Sequence, residues 1–147
     1  MEIEAGPERF AHLLSRFPKI TYLNNASAVI DDIKFYGSPY SNEFFNWAFM
    51  GSEVELSKIW AQIPLDTNVL ITHGPAYCAC DLVKNAHLRD PHVGSQSLHS
   101  RKKLLKDLKY HISGHIHEAY GRQGSNINAS VLNEKYQLVN EPIILEV

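Results

Sequence analysis

The chain has 147 residues, 44% of them hydrophobic and 20% charged, which suits a single globular domain with a sizeable core. A net charge of −2 and an isoelectric point near 6.4 argue against non-specific nucleic-acid binding. No secretory-signal pattern and no apolar run of bilayer-spanning length occurs, so no membrane role is expected.

In chain order, residues 8–17 place Phe10, Ala11, Leu13, Leu14 and Phe17 at helical spacing, and Pro18 stops the run. Ile20 to Leu23, Ala28 to Ile30 and Ile33 to Gly37 read as short strands, the last two joined by a hairpin at Asp31-Asp32. An irregular loop rich in aromatic residues follows, carrying Phe44, Phe45, Trp47 and Phe49. Ser52 can cap a helix with Glu55 at the capping-box position, and Leu56, Ile59 and Trp60 form its apolar stripe before Pro64. Asn68 to Thr72 is a buried strand opening into a long loop, residues 73–93, of the kind that tends to carry function. Ser95 or Ser97 caps a second helix whose Leu98, Leu104, Leu105 and Leu108 should face inward. Tyr110 to Ser113, Ser125 to Ser130, Tyr136 to Val139 and Ile143 to Val147 complete the expected strands. The fold class is α/β, a mixed sheet with covering helices, in one domain spanning residues 1–147.

Two motifs carry chemistry. Thr72-His73-Gly74-Pro75 closes one apolar strand, and Gly114-His115-Ile116-His117-Glu118 closes another. Three imidazoles are therefore expected where two strands end together. His115 and His117 would point to one side of an extended strand, but in a turn they can reach two adjacent ions. Neutral imidazole suits Zn, Fe and Ni, and with oxygen ligands also Mn.

These motifs resemble the last two metal-binding motifs of the calcineurin-like metallophosphoesterases. Further blocks resemble the branch of metallophosphoesterase-domain-containing proteins, associated with cyclic-nucleotide phosphodiesterase activity. They are Phe35-Tyr36-Gly37-Ser38-Pro39, Trp47-Ala48-Phe49, Trp60-Ala61-Gln62-Ile63-Pro64, His117-Glu118-Ala119-Tyr120-Gly121, Asn128-Ala129-Ser130 and Asn140-Glu141-Pro142-Ile143-Ile144. The resemblance runs from about residue 10 to 147 and implies the C-terminal half of a four-layer αββα sandwich. It implies His73 and His115 on one divalent metal and His117 on a second, both ions drawn from Mn, Fe, Zn or Ni. His111, Asp81, Glu118, Gly74 and Gly114 are then candidates for supporting or substrate contacts.

The superfamily's three earlier motifs, Asp-x-His, Gly-Asp and Gly-Asn-His, do not occur upstream of Phe35. The bridging carboxylate of a two-metal site and the general acid come from those motifs, so the metals should be weakly held or absent. The expected function is metal-dependent phosphoester hydrolysis by ancestry, incomplete in this chain alone. A separately encoded N-terminal half or a homodimer is the expected partner, with a phosphoester small molecule or nucleotide as ligand. The alternative is a self-associating binding or structural module on the same scaffold.

Taken singly, His111 is expected to pack or to bond a neighbouring ligand, Glu118 to orient a loop, and Asp81 to cap a helix. His12, His87, His92 and His99 read as surface residues, and the cluster Arg101-Lys102-Lys103 with Lys106 as a solvated helix face. Cys78-Ala79-Cys80 is too tightly spaced for a useful disulfide and fits a reduced cytosolic setting. The Asn-x-Ser triplets at Asn25 and Asn128 read as accidental.

Overall fold

Residues 12–45, 47–84 and 91–147 are described by the computed structural model. Among the described residues eight strands are present: β1 (Ala26–Ile30), β2 (Ile33–Ser38), β3 (Ser41–Asn42), β4 (Met50–Gly51), β5 (Val69–Thr72), β6 (Tyr110–Ser113), β7 (Gly121–Gln123) and β8 (Asn126–Asn128). The helices α1 (Glu53–Trp60) and α2 (Gln96–Lys102) accompany them, with a 3-10 turn at His117–Ala119 and a helical stretch at residues 12–15. The main sheet has the order β1-β2-β5-β6-β8-β7. Its middle is parallel and its two edges are antiparallel hairpins. The α/β class with a mixed sheet is thus observed.

Each local choice has a cause. Asp31 and Asp32 both take positive φ, 49° and 62°, as a two-residue hairpin turn of the inverted kind requires. Short polar side chains tolerate that region better than most. Ser52 and Glu55 form the reciprocal capping box of α1, satisfying two amides that the first helical turn leaves unpaired.

The crossovers β2–α1–β5 and β5–α2–β6 advance in one direction across the sheet. Right-handed connections therefore place both helices on the same face, where they pack against each other. That face holds the core of Tyr36, Leu56, Trp60, Ile63, Leu70 and Leu98. Tyr36, Leu70 and His111 stand side by side in register, so the period of two sends His111 into this apolar row. On the opposite face Leu14, from the helical residues 12–15, and residues 20–23 line a cavity with Gly37 and Ile71, and Ile71 in the central strand stays 38% exposed.

Several expectations are corrected. Only residues 12–15 of the first helix are described as helical, its earlier residues lying outside the described part. Residues 20–23 join no strand; instead the side chain of Leu23 covers Gly37, where an added Cβ would come within 2.3 Å of it. α2 stops at Lys102, which leaves Leu104 54% exposed while Leu98 and Leu105 are buried. Tyr136 to Val139 forms no strand because Tyr136 turns to φ 58°, and a single bridge joins Leu132 to Leu138. Residues 143–147 run without a ladder, touched by Tyr110 Oη, which donates to the Glu146 carbonyl at 3.1 Å. No helix of the described residues is long and apolar enough to cross a membrane.

Candidate metal centre

β5 and β6 are adjacent and parallel, so the loops that follow them leave the same edge of the sheet. This is the end at which open α/β sheets bind ligands. The Gly114 amide donates to the His73 carbonyl at 3.0 Å, tying the two loops together. His115 adopts φ 66°, an uncommon region for a bulky residue, and the ring centroids of His73 and His115 stand 4.7 Å apart. His117 lines the same cavity, of about 740 Å³, from the first position of the 3-10 turn.

The His117 ring is oriented by a backbone carbonyl. Its Nδ1 lies 2.8 Å from the Asn133 oxygen, which can only accept, so Nδ1 carries a proton and, in the neutral ring, Nε2 is the nitrogen left to bind a metal. Metal-ligating histidines are commonly held in this way. Burial pushes the His73 imidazole below its ordinary range, with the His117 charge adding to the effect. Burial likewise depresses His115, to about 4, and His73 and His117 depress it further. Both rings are therefore neutral near pH 7, the form that can bind a metal. The donor set suits a borderline divalent ion. Even so, no three His, Cys, Asp or Glu side chains among the described residues are grouped closely enough to hold one ion.

The supporting residues do not all behave as expected. Gly74 is required by crowding: a Cβ there would meet the Ser41 Cβ at 2.7 Å. Gly114 meets no such limit, an added Cβ finding only Ser130 Oγ at 3.5 Å; its amide is what matters. Glu118 lines the cavity and accepts the Lys84 amide of the loop after His73, as a loop-orienting residue would. Asp81 caps no helix. It is fully buried and gathers the amides of Cys78, Ala79 and Gly94 together with His92 Nδ1. His92 is accordingly half-buried on Asp81 rather than free on the surface, and His99 is half-buried, its ring edge-on to Tyr77. His12 is exposed, and His87 lies outside the described residues. His92 also ends an Asp-x-His triplet, Asp90-Pro91-His92, which follows the His73 motif and so falls out of the superfamily's order.

Asn128, Lys102, Arg101 and Glu134 carried no expectation of a role at the site. Asn128 is fully buried, and its side-chain amide donates to the carbonyls of Gly114 and Ile116, on either side of His115, at 3.4 and 2.8 Å. The Asn128-Ala129-Ser130 block was the available signal. Lys102 does not belong to a solvated face: its ammonium bonds His111 Nδ1 at 2.9 Å and Asn126 Oδ1. Arg101 likewise turns in, donating to the Ile63 carbonyl. Glu134 joins Glu43 and Glu118 as carboxylates on the cavity wall. Phe44 and Trp47 stand at its rim, the Phe44 ring 6.3 Å from that of His115.

No family model matches the chain. It is 32% identical over 145 residues to metallophosphoesterase domain-containing protein 1 of Homo sapiens, covering 95% of this chain and 44% of that one. The Mus musculus protein of the same name gives the same values. A UPF0046 protein of Caenorhabditis elegans is 32% identical over 131 residues, 86% of this chain and 32% of its own. The chain thus spans under half the length of these curated relatives. One solved crystal structure superposes with a TM-score of 0.56 at 19% identity, over 84% of this chain and 51% of that one. That likeness concerns the fold alone.

Proposed function

We infer that this chain, which belongs with the metallophosphoesterase domain-containing proteins, supplies the all-histidine portion of a two-metal phosphoesterase site. The observation that carries this reading is the approach of His73 and His115 to 4.7 Å, with His117 held in the same cavity by Asn133. His73 and His115 would serve one ion and His117 its neighbour. When bound, such a pair of divalent ions polarises a phosphoryl oxygen and lowers the pKa of a bound water.

The chain's own contribution is to orient the imidazoles, keep those of His73 and His115 neutral and surround them with a walled cavity. Two ions about 3.5–4 Å apart call for an anionic bridge, and although Glu43, Glu118 and Glu134 line the same cavity, no three such side chains among the described residues are grouped closely enough to hold an ion. We therefore assign the bridging and remaining oxygen ligands to a second polypeptide segment, and expect the substrate to be a phosphomonoester or phosphodiester. The two free thiols, Cys78 and Cys80, suit a reducing compartment such as the cytosol.

The sheet face opposite α1 and α2, only partly covered by Leu14 and residues 20–23, favours a partner. Ile71, Ile30, Ile20 and Tyr22 are exposed there or close by, and apolar surface of this kind marks interaction sites when it is contiguous. Either a complementary segment or a second copy of the chain would bury it. Light scattering at micromolar concentration separates monomer from dimer.

The activity test is an assay of the pure chain with Mn²⁺ against an aryl phosphodiester. It is run alone and then with a separately expressed segment bearing Asp-x-His, Gly-Asp and Gly-Asn-His. Negligible turnover alone and chelator-sensitive turnover on mixing are expected. Chelator-sensitive turnover of ~1–10³ s⁻¹ by the chain alone would refute the need for complementation. Calorimetry showing no uptake of Mn²⁺ or Zn²⁺ would refute the metal reading itself.

A further inference from the structure

Behind the histidine pair runs a chain of hydrogen bonds in which every proton has one possible place. Thr72 Oγ lies 2.6 Å from the Gly74 carbonyl, which can only accept, so the hydroxyl donates there. Thr72 Oγ then offers only lone pairs to His111 Nε2, 2.8 Å away, so that nitrogen bears the hydrogen. His111 is 1% exposed; burial first, and the Lys102 charge second, hold its pKa far below the usual histidine range. A neutral imidazole protonated at Nε2 leaves a lone pair on Nδ1, and this faces Lys102 Nζ at 2.9 Å. The ammonium's other partner is Asn126 Oδ1. No carboxylate among the described residues reaches it. The opposite tautomer would set Nδ1–H against an ammonium and lone pair against lone pair at Thr72.

We propose that Lys102 is a positioning residue for the histidine pair: its ammonium fixes the His111 tautomer, and His111, through Thr72, holds the carbonyl of Gly74 beside His73. The loop is then clamped from both ends. Gly74 donates its amide to Tyr40 at 3.4 Å, His73 donates to Ser38 at 3.1 Å, and the His73 carbonyl receives Gly114. The Lys102 relay adds a restraint that comes from inside the core. A lysine ammonium serves here because it donates in several directions, and burial lowers its pKa only to about 8, leaving it largely charged near neutrality. The effect on metal affinity rests on the function inferred above; the tautomer and the loop position do not.

The test uses the full ¹⁵N-labelled chain, metal-free and then titrated with Zn²⁺ alone, as wild type, Lys102→Met and Thr72→Val. Long-range ¹H–¹⁵N spectra read the tautomer, and the His73 resonances read the loop. Wild type should show His111 protonated at Nε2. Lys102→Met should mix the tautomers, move the His73 signals and weaken Zn²⁺ binding by ~10–100-fold, the usual range for groups that orient a ligand. Thr72→Val should move His73 yet leave His111 Nδ1 unprotonated, because Lys102 still donates to it; this variant also decides the matter should Lys102→Met not fold. Wild-type His111 protonated at Nδ1, or His73 signals unmoved in the folded variants, overturns the proposal. Wild type that takes up no Zn²⁺ overturns the metal reading, while the spectra still decide the role of Lys102.

Discussion

The amide of Gly114 donates to the carbonyl of His73 across 3.0 Å, so the two histidine-bearing loops are joined by backbone before any ion is considered. Adjacent parallel strands bring the loops side by side, and this bond fixes their separation. Binding by His73 and His115 should therefore need little rearrangement. Replacing either one by alanine should weaken Zn²⁺ binding by more than the ~10–100-fold of outer contacts. His117→Ala should leave the first ion bound. Calorimetric stoichiometry checks this, and equal losses for all three variants would contradict the two-ion assignment.

Acid should destabilise the metal-free chain from an unusually high pH. His115 titrates near 4 when folded against 6.5 when unfolded, and His73 and His111 shift in the same direction. Across that window the unfolded chain binds more protons, so stability rises with pH. The contribution is complete above about pH 6.5 and is lost as pH falls towards about 4. Urea midpoints measured between about pH 7 and pH 4 should decline, more steeply in wild type than in His115→Gln. A flat profile contradicts the assignment.

Ser52→Ala removes one half of the α1 capping box. The loss should be about 1 kcal/mol, typical of an N-cap serine, because α1 carries the buried Leu56 and Trp60. Denaturant unfolding reads it directly; a change within experimental error would mean that packing alone holds the helix start.

Gly94→Ala should cost more. An added Cβ would lie 2.4 Å from the Ala76 carbonyl oxygen and 2.7 Å from the Tyr77 nitrogen, both backbone atoms that cannot swing aside. Overpacking of this kind costs roughly 1–3 kcal/mol. It would also disturb the Gly94 amide that Asp81 accepts at 2.9 Å. A melting temperature equal to wild type would show that the segment yields freely.

Much of the architecture was legible because its causes are local. Ser52 and Glu55 lie within one helical turn, Asp31-Asp32 is a turn by its own backbone preferences, and each histidine motif directly follows its own apolar strand. Where a long-range partner decides, the sequence was silent or misleading. Tyr136 to Val139 has the composition of a strand, yet Asn133 Oδ1 gathers the amides of Lys135 and Gln137 into a turn, and β7 already occupies that edge of the sheet.

By itself the sequence determined the α/β class, the strand-end placement of His73 and His115, and the kinship that gives those histidines meaning. Only the tertiary structure decided that Lys102 leaves its basic cluster for His111, that Asp81 serves a loop, and that Asn128 braces the turn around His115. The reason is physical. Propensity and periodicity act over a few neighbours, whereas a buried polar group takes whichever partner the packed sheet and helices bring within about 3 Å, because leaving it unpaired is costly.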